Sequence, residues 1–406
     1  MSLRVVFRVF LTLGLTSFGG PVAHIGYFRQ AFVIERQWLT EAEFASRLAL
    51  CQALPGPASS QLGFLIGCHR AGWLGGLAAW VAFTLPSAIV LVLLALYALP
   101  WASAGTLSVV HGLKLVAVAI VAQAVWGMWG ALCRTTGTRI LALVGFAVAI
   151  WLSGWLGQIG AILLGAVVGF VSLRQTITTA NTAISNTSAP TEPEKTGFNR
   201  PQRFLSMLLL TLAATLLLGL PWLAQQQPVL QMFEMFYRAG ALVFGGGHVV
   251  LPLLQSAVVD TGLVSNDAFL VGYGLAQAVP GPLFTFAAWL GALDPTLPGW
   301  SGAALALVAI FLPGVLLVAG VMPWWQQWQQ NRHAMAILAG VNAAVVGVLA
   351  SAWVDPIVST SLRGWIDVVI ALICTGGLML GKAAPWKIVL LAVLLSGLAH
   401  WAGLLA

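Results

Sequence analysis

The chain has 406 residues, of which 60% are hydrophobic and only 7% charged, and its mean hydropathy is +0.95. A soluble domain carries about 25% charged residues, so this chain lacks the polar surface of a water-facing globule and reads as an all-α polytopic membrane protein in a lipid bilayer. Its formal net charge is +7, but the basic residues stand singly between apolar runs, which argues for membrane loops and against nucleic-acid binding.

In chain order, apolar segments of roughly membrane-spanning length fall at Leu3–Phe18, Phe44–Cys68, Trp73–Tyr97, Leu107–Leu132, Arg139–Trp155 and Leu156–Leu173. Arg4 and Arg8 begin the first without a signal-like cleavage site after it, so it reads as a retained segment. Arg174–Arg203, rich in Thr, Ser, Asn, Pro and Glu, reads as a flexible aqueous linker. Beyond it lie Phe204–Leu223, Met232–Gly247, Phe269–Leu290, Trp300–Met322, Ala334–Val354, Trp365–Leu380 and Trp386–Leu405. The expectation is about 13 transmembrane segments: a first repeat over 1–174, a cytoplasmic linker over 175–203, an extra helix over 204–230 and a second repeat over 231–406. Cys51, Cys68, Cys133 and Cys374 form no CxxC pair, and HExxH, P-loop and GxSxG motifs are missing. Neither a metal site nor a cofactor nor an enzyme is therefore expected.

The chain repeats itself. Gly14-Leu-Thr-Ser-Phe-Gly-Gly20 returns as Gly240-Ala-Leu-Val-Phe-Gly-Gly246, and Gln52-Ala-Leu-Pro-Gly-Pro57 as Gln277-Ala-Val-Pro-Gly-Pro282. One duplicated unit explains the nearly constant spacing. Six spans plus one extra helix shift equivalent segments by an odd number, which inverts the second repeat in the membrane. With a cytoplasmic N-terminus most Lys and Arg fall inside. Arg29, Arg36, Arg47 and Arg363 are the exceptions, and the first three share a stretch with Glu35, Glu41 and Glu43 that reads as an amphipathic or re-entrant segment.

Helices broken at membrane depth are tolerated only beside protein or a wet cavity, and here the breaks are matched. Pro55, Gly56 and Pro57 interrupt one half; Pro280, Gly281 and Pro282 interrupt the other. Gly19 and Gly20 pair with Gly245 and Gly246 as a second set. Paired Gly/Pro interruptions point to a transporter site; the plain alternative is a pair of packing kinks. Ser59, Ser60 and Gln61 follow the first break, where a new helix would offer hydroxyls and unpaired amides to an oxyanion. Thr285 is the single hydroxyl after the second. His24 and His248 lie just past the glycine runs and suit either an anion contact or a local carbonyl. Lys114, inside a span, reads either as a snorkelling side chain or as a ligand contact. Arg238 has Glu234 one turn earlier for an ion pair, and Arg70 reads as a topology anchor or a gate contact.

The segments Phe18–Phe28, Leu54–Gln61, Phe83–Ser87, Phe244–Pro252 and Gln277–Pro282 resemble the chromate ion transporter family in its long-chain, two-domain form. The resemblance implies an inner-membrane exporter of chromate in a bacterium, conferring chromate resistance, with sulfate as a related or competing oxyanion. The residues by themselves reach a duplicated transporter for an anion. Without an ATP site, transport would draw on an ion gradient or the membrane potential. A sulfate carrier and, from another class, an anion channel are the rival readings, and the sequence leaves open a homo-oligomer.

Overall fold

A computed structural model describes residues 2–97, 104–152, 154–172, 200–244, 246–381 and 383–403. Most of the predicted linker, and Gly245, lie outside the described residues. All regular structure among the described residues is helical.

The first half opens with α1 (Leu3–Thr16) and α2 (Gly20–Arg29), separated by a turn in which Gly19 and Gly20 both adopt positive φ. The ring of Phe10 lies 5.7 Å from that of Phe28 and 5.0 Å from that of Phe32, so the chain has folded back and α2 runs antiparallel to α1. Helix α3 (Glu41–Ala53) starts from a capping box in which Thr40 and Glu43 satisfy each other's backbone amides. It ends at Pro55-Gly56-Pro57, after which α4 (Ala58–Tyr97) begins. Arg47 on α3 reaches His69 on α4 at 3.2 Å. Were the two helices collinear, at 1.5 Å per residue these positions would stand roughly 30 Å apart. The predicted span Phe44–Cys68 is therefore a hairpin with Pro-Gly-Pro at its tip, and Leu3–Phe18 is the first arm of another.

Helix α4 itself turns back at Ala71 and Gly72, whose backbone angles are non-helical. A Cβ on Gly67 or Gly75 would collide with the other residue's carbonyl, so the arms touch there. Helices α5 (Ala104–Leu132), α6 (Thr136–Trp151) and α7 (Trp155–Ser172) complete the half, and α8 (Arg200–Leu223) leads into the next.

The second half repeats this plan in α9 (Pro228–Ala241), α10 (Val250–Val258), α11 (Asn266–Ala278), α12 (Phe286–Leu293), α13 (Trp300–Val321), α14 (Arg332–Ala352), α15 (Trp365–Met379) and α16 (Pro385–Trp401). Trp289 Nε1 donates to the Ala268 carbonyl at 3.0 Å and Phe286 meets Phe269 at 5.1 Å. Helices α11 and α12 thus fold back about Pro280-Gly281-Pro282. The two halves also clasp each other reciprocally. Helices α6 and α7 lie on α14, with Gly145 against Ala344 and Gly169 against Gly340, while α15 and α16 lie on α5, with Gly112 against Ala392 and Val393. Helices α5 and α14 hold corresponding places in the element order of their halves, so each half embraces the matching helix of the other. Small residues let these backbones approach, and close packing holds helices together where lipid removes the hydrophobic drive.

Among the described residues, five helices are long and apolar enough to cross a membrane: Ala58–Tyr97, Ser108–Leu132, Arg203–Leu223, Trp300–Trp324 and Arg332–Ser361. The first includes the fold-back at Gly72, so its crossing arm is residues 73–97.

Candidate functional site

The four hairpin arms that end in Gly/Pro turns bring those turns to one place. Gly56, at the tip of the α3–α4 hairpin, donates its amide to the Val243 carbonyl at 2.7 Å; Gly281, at the tip of the α11–α12 hairpin, donates to the Ser17 carbonyl at 3.0 Å. Ser17 and Val243 occupy the same position of the duplicated motif, immediately before Phe-Gly-Gly. Each half's Pro-Gly-Pro tip is thus pinned to the other half's glycine turn. Gly56 has φ +120° and Gly281 φ +113°, a region L side chains avoid. The surroundings are equally restrictive, because a Cβ on Gly56 would lie 3.1 Å from the Gly314 Cα and one on Gly281 would lie 2.7 Å from Ser87 Oγ.

Of the contacts predicted in the first half, His24, Ser59, Ser60 and Gln61 meet here. His24 is fully buried, with Nε2 3.2 Å from the Ser17 carbonyl that also receives Gly281. A carbonyl only accepts, so Nε2 carries the hydrogen. In the neutral ring Nδ1 is then an acceptor facing Ser59 Oγ, at a long 3.5 Å. Gln61 donates through Nε2 to Pro55 O at 2.9 Å and to Gly314 O at 3.1 Å, tying the tip to α13. Its Oε1 has no partner. Ser60 is 4% exposed, and its hydroxyl has no hydrogen-bond partner either. A buried hydroxyl left unpaired is costly, and Ser60 shares that state with Ser17 Oγ and Gln61 Oε1 close by.

The other predicted contacts are engaged differently. Thr285 donates to Pro282 O at 2.7 Å. His248 pairs through Nδ1 with the Tyr273 hydroxyl at 2.8 Å; the motif position matching His24 is Val250, so the two histidines are not equivalent. Lys114 is 2% exposed, and its Nζ lies 2.6 Å from Asp267 Oδ1 on the opposite half. It is one side of an ion pair between the halves. Arg70 lies at the far end of the hairpin from the tip, its guanidinium 5.2 Å from the Trp38 ring centre. Arg238 makes the expected pair with Glu234 at 3.2 Å. The sequence reading passed over Ser17, Val243, Gly314 and Asp267. Ser17 and Val243 were open to it, because the duplicated motif contains both.

A cavity of about 370 Å³ lies elsewhere, between α6, α7, α10, α14 and the start of α11. None of the predicted anion contacts lines it. The junction is closed, with tips in direct contact.

The sequence model described as "Chromate transporter" matches residues 4–170 and 230–400. The chain is 30% identical over 415 residues to the "Probable chromate transport protein" of Synechococcus elongatus, with 98% of this chain and 96% of the relative covered. It is 28% identical to the "Chromate transport protein" of Pseudomonas aeruginosa, over 99% of this chain and 92% of the relative. It is also 28% identical to that of Cupriavidus metallidurans, over 92% of this chain and 86% of the relative. No solved structure matches the chain. The chain belongs to the chromate transporter family, and so is a transporter and not an enzyme.

Proposed function

We propose that this member of the family is a secondary transporter that carries chromate out of the cytoplasm across the inner membrane, conferring chromate resistance, by alternating access around the junction of its hairpin tips. One observation carries the reading: the reciprocal hydrogen bonds from Gly56 to Val243 and from Gly281 to Ser17. A tetrahedral dianion suits a site of hydroxyls, amides and helix N-termini. Ser60 and Ser59 at the start of α4, with Gln61 behind them, supply those groups. His24 holds the Ser17 carbonyl and orients Ser59. Opening the junction from one face or the other would free the tip amides for the anion, since in the closed state they bind carbonyls of the opposite half. Lys114 and Arg70 serve the frame that surrounds this movement.

The hairpins also support an inverted arrangement with a cytoplasmic N-terminus. If α1–α2 and α3–α4 each enter and leave on one face, then residues 73–97, α5, α6 and α7 cross the membrane, and α8 crosses once more. The second half then starts on the opposite face. This trace puts Arg29, Arg36 and Arg47 on the cytoplasmic side with Arg4 and Arg8, so three of the four exceptions to the positive-inside pattern disappear. Arg29 and Arg36 are engaged with Glu41 at 2.7 Å and Glu35 at 3.1 Å, as suits an aqueous surface.

The names of the relatives support chromate as the substrate, and sulfate shares its charge and shape. Everted membrane vesicles expressing the chain test both. Accumulation of labelled chromate that depends on energisation supports the export reading, and dissipation without accumulation favours a channel. Preferential accumulation of sulfate favours the sulfate carrier.

A further inference from the structure

Helix α5 carries a second ionisable pair beside Lys114. One turn earlier, His111 Nε2 lies 2.7 Å from Asp367 Oδ1 on α15 of the other half. Asp367 is fully buried, and its Oδ2 accepts from the Arg363 and Gly364 amides at 2.8 and 3.2 Å. Two amides at a helix N-terminus hold the group as a carboxylate. Nε2 therefore donates to it, and Nδ1 is the ring atom left to gain or lose a proton. Lys114 is already matched by Asp267, so the buried charge of Asp367 has His111 as its ionic partner. An unbalanced buried carboxylate is costly, and one proton on His111 completes the second ion pair. The imidazole keeps 16% of its side chain accessible. The other charged groups on elements packed against α5 are exposed: Asp355 after α14, Arg363 before α15, His400 and Lys387 on α16, and Arg332 and His333 at the start of α14.

Ionisable pairs within membrane helices mark proton relays in pumps and transporters. This pair joins the two halves, and the same turn of α5 faces a hairpin that ends in a Pro-Gly-Pro tip. A Cβ on Gly274 of α11 would stand 3.0 Å from the Leu113 carbonyl, and Asp267 lies in the first turn of that helix. We propose that His111 with Asp367 binds the proton that couples transport to the proton gradient. The proposal rests on the transport reading above and names its driving ion. A proton from the outer side adds to His111 Nδ1, making the pair imidazolium and carboxylate. When the halves rearrange, the same proton leaves Nδ1 for the cytoplasmic side and restores the neutral ring, while the anion moves outward. Neither residue belongs to the anion junction, so proton and anion occupy separate sites linked through α5 and the α11–α12 hairpin.

The test uses everted vesicles carrying the full chain, with the membrane potential clamped at zero by potassium and valinomycin. The lumen is made one pH unit more acid than the medium, both alkaline enough that chromate itself stays a dianion. Labelled chromate should accumulate in the lumen above its concentration in the medium, and vesicles without the chain should show no such accumulation. Asp367→Asn keeps an oxygen for the two amides, and His111→Gln keeps a donor toward Asp367 and leaves the helix cap untouched. Each variant should lose the accumulation driven by the pH gradient. Each should still exchange labelled for unlabelled chromate at close to the unaltered rate, because exchange needs no proton. A chain that exchanges chromate but ignores the pH gradient overturns the proton site and leaves the transport reading standing. Variants that accumulate as the unaltered chain does, or that lose exchange in step with accumulation, also overturn it. An unaltered chain that neither exchanges nor accumulates chromate under any gradient overturns the transport reading itself, and the proton site with it.

Discussion

Lys114 in the first half and Asp267 in the second are joined at 2.6 Å, with the lysine buried and the aspartate 58% exposed. Removing one partner strands a buried charge, whereas removing both with apolar replacement is often tolerated. Asp267→Asn should therefore lower stability by roughly 1–3 kcal/mol, and Lys114→Met with Asp267→Leu should recover most of it and retain transport. Thermal melting and vesicle transport on the same preparations check this. A stable double variant that no longer transports would return Lys114 to the anion path.

Gly56→Ala and Gly281→Ala each place a side chain at a positive φ against a tight neighbour. The backbone penalty alone is about 1–3 kcal/mol, and the added Cβ displaces Gln61 or Ser87. Each variant should reduce transport more than tenfold. Gly219→Ala on α8, where an added Cβ meets nothing within 4 Å, should transport normally. Equal activity of all three would mean that the tips need not touch.

Matched positions after the glycine turns should lie on opposite sides of the membrane. Glu35 and Thr261 are equivalent and both exposed. Of the native cysteines, Cys51, Cys133 and Cys374 are buried. In a background with Cys68 also removed, Glu35→Cys should react with an impermeant thiol reagent only from the cytoplasmic side and Thr261→Cys only from the outside. Labelling from the same face would refute the inverted arrangement.

These hairpins show what the sequence made legible and what it hid. The Pro-Gly-Pro and Phe-Gly-Gly breaks were readable because duplication prints each of them twice, and their meeting could be anticipated. The fold-back was not, since hydropathy measures apolar length and carries no direction: Phe44–Cys68 is as long and apolar as a straight span. Lys114 and Asp267 are far apart in the chain, and neither neighbourhood marks the other. His24 and His248 looked like counterparts from their closeness to the glycines, yet they stand two positions out of register, and only His24 belongs to the tip contact.

Partial desolvation, followed by the nearby Asp355 charge, raises the Asp260 carboxyl above its ordinary value. Folding thus favours the protonated form, so this contribution to stability is present at low pH and is lost as pH rises past the ordinary carboxylate range through the raised value. In choline chloride the melting midpoint should fall across that window, and Asp260→Asn should flatten the fall. A fall of the same size in Asp260→Asn would separate Asp260 from the pH dependence.

Equilibrium binding of labelled chromate to the purified, folded chain tests most directly whether the joined tips hold the anion. Ser59→Ala with Ser60→Ala should weaken binding at least tenfold while the melting midpoint stays near that of the unaltered protein. Undiminished affinity in that double variant would contradict the assignment of the anion to the junction.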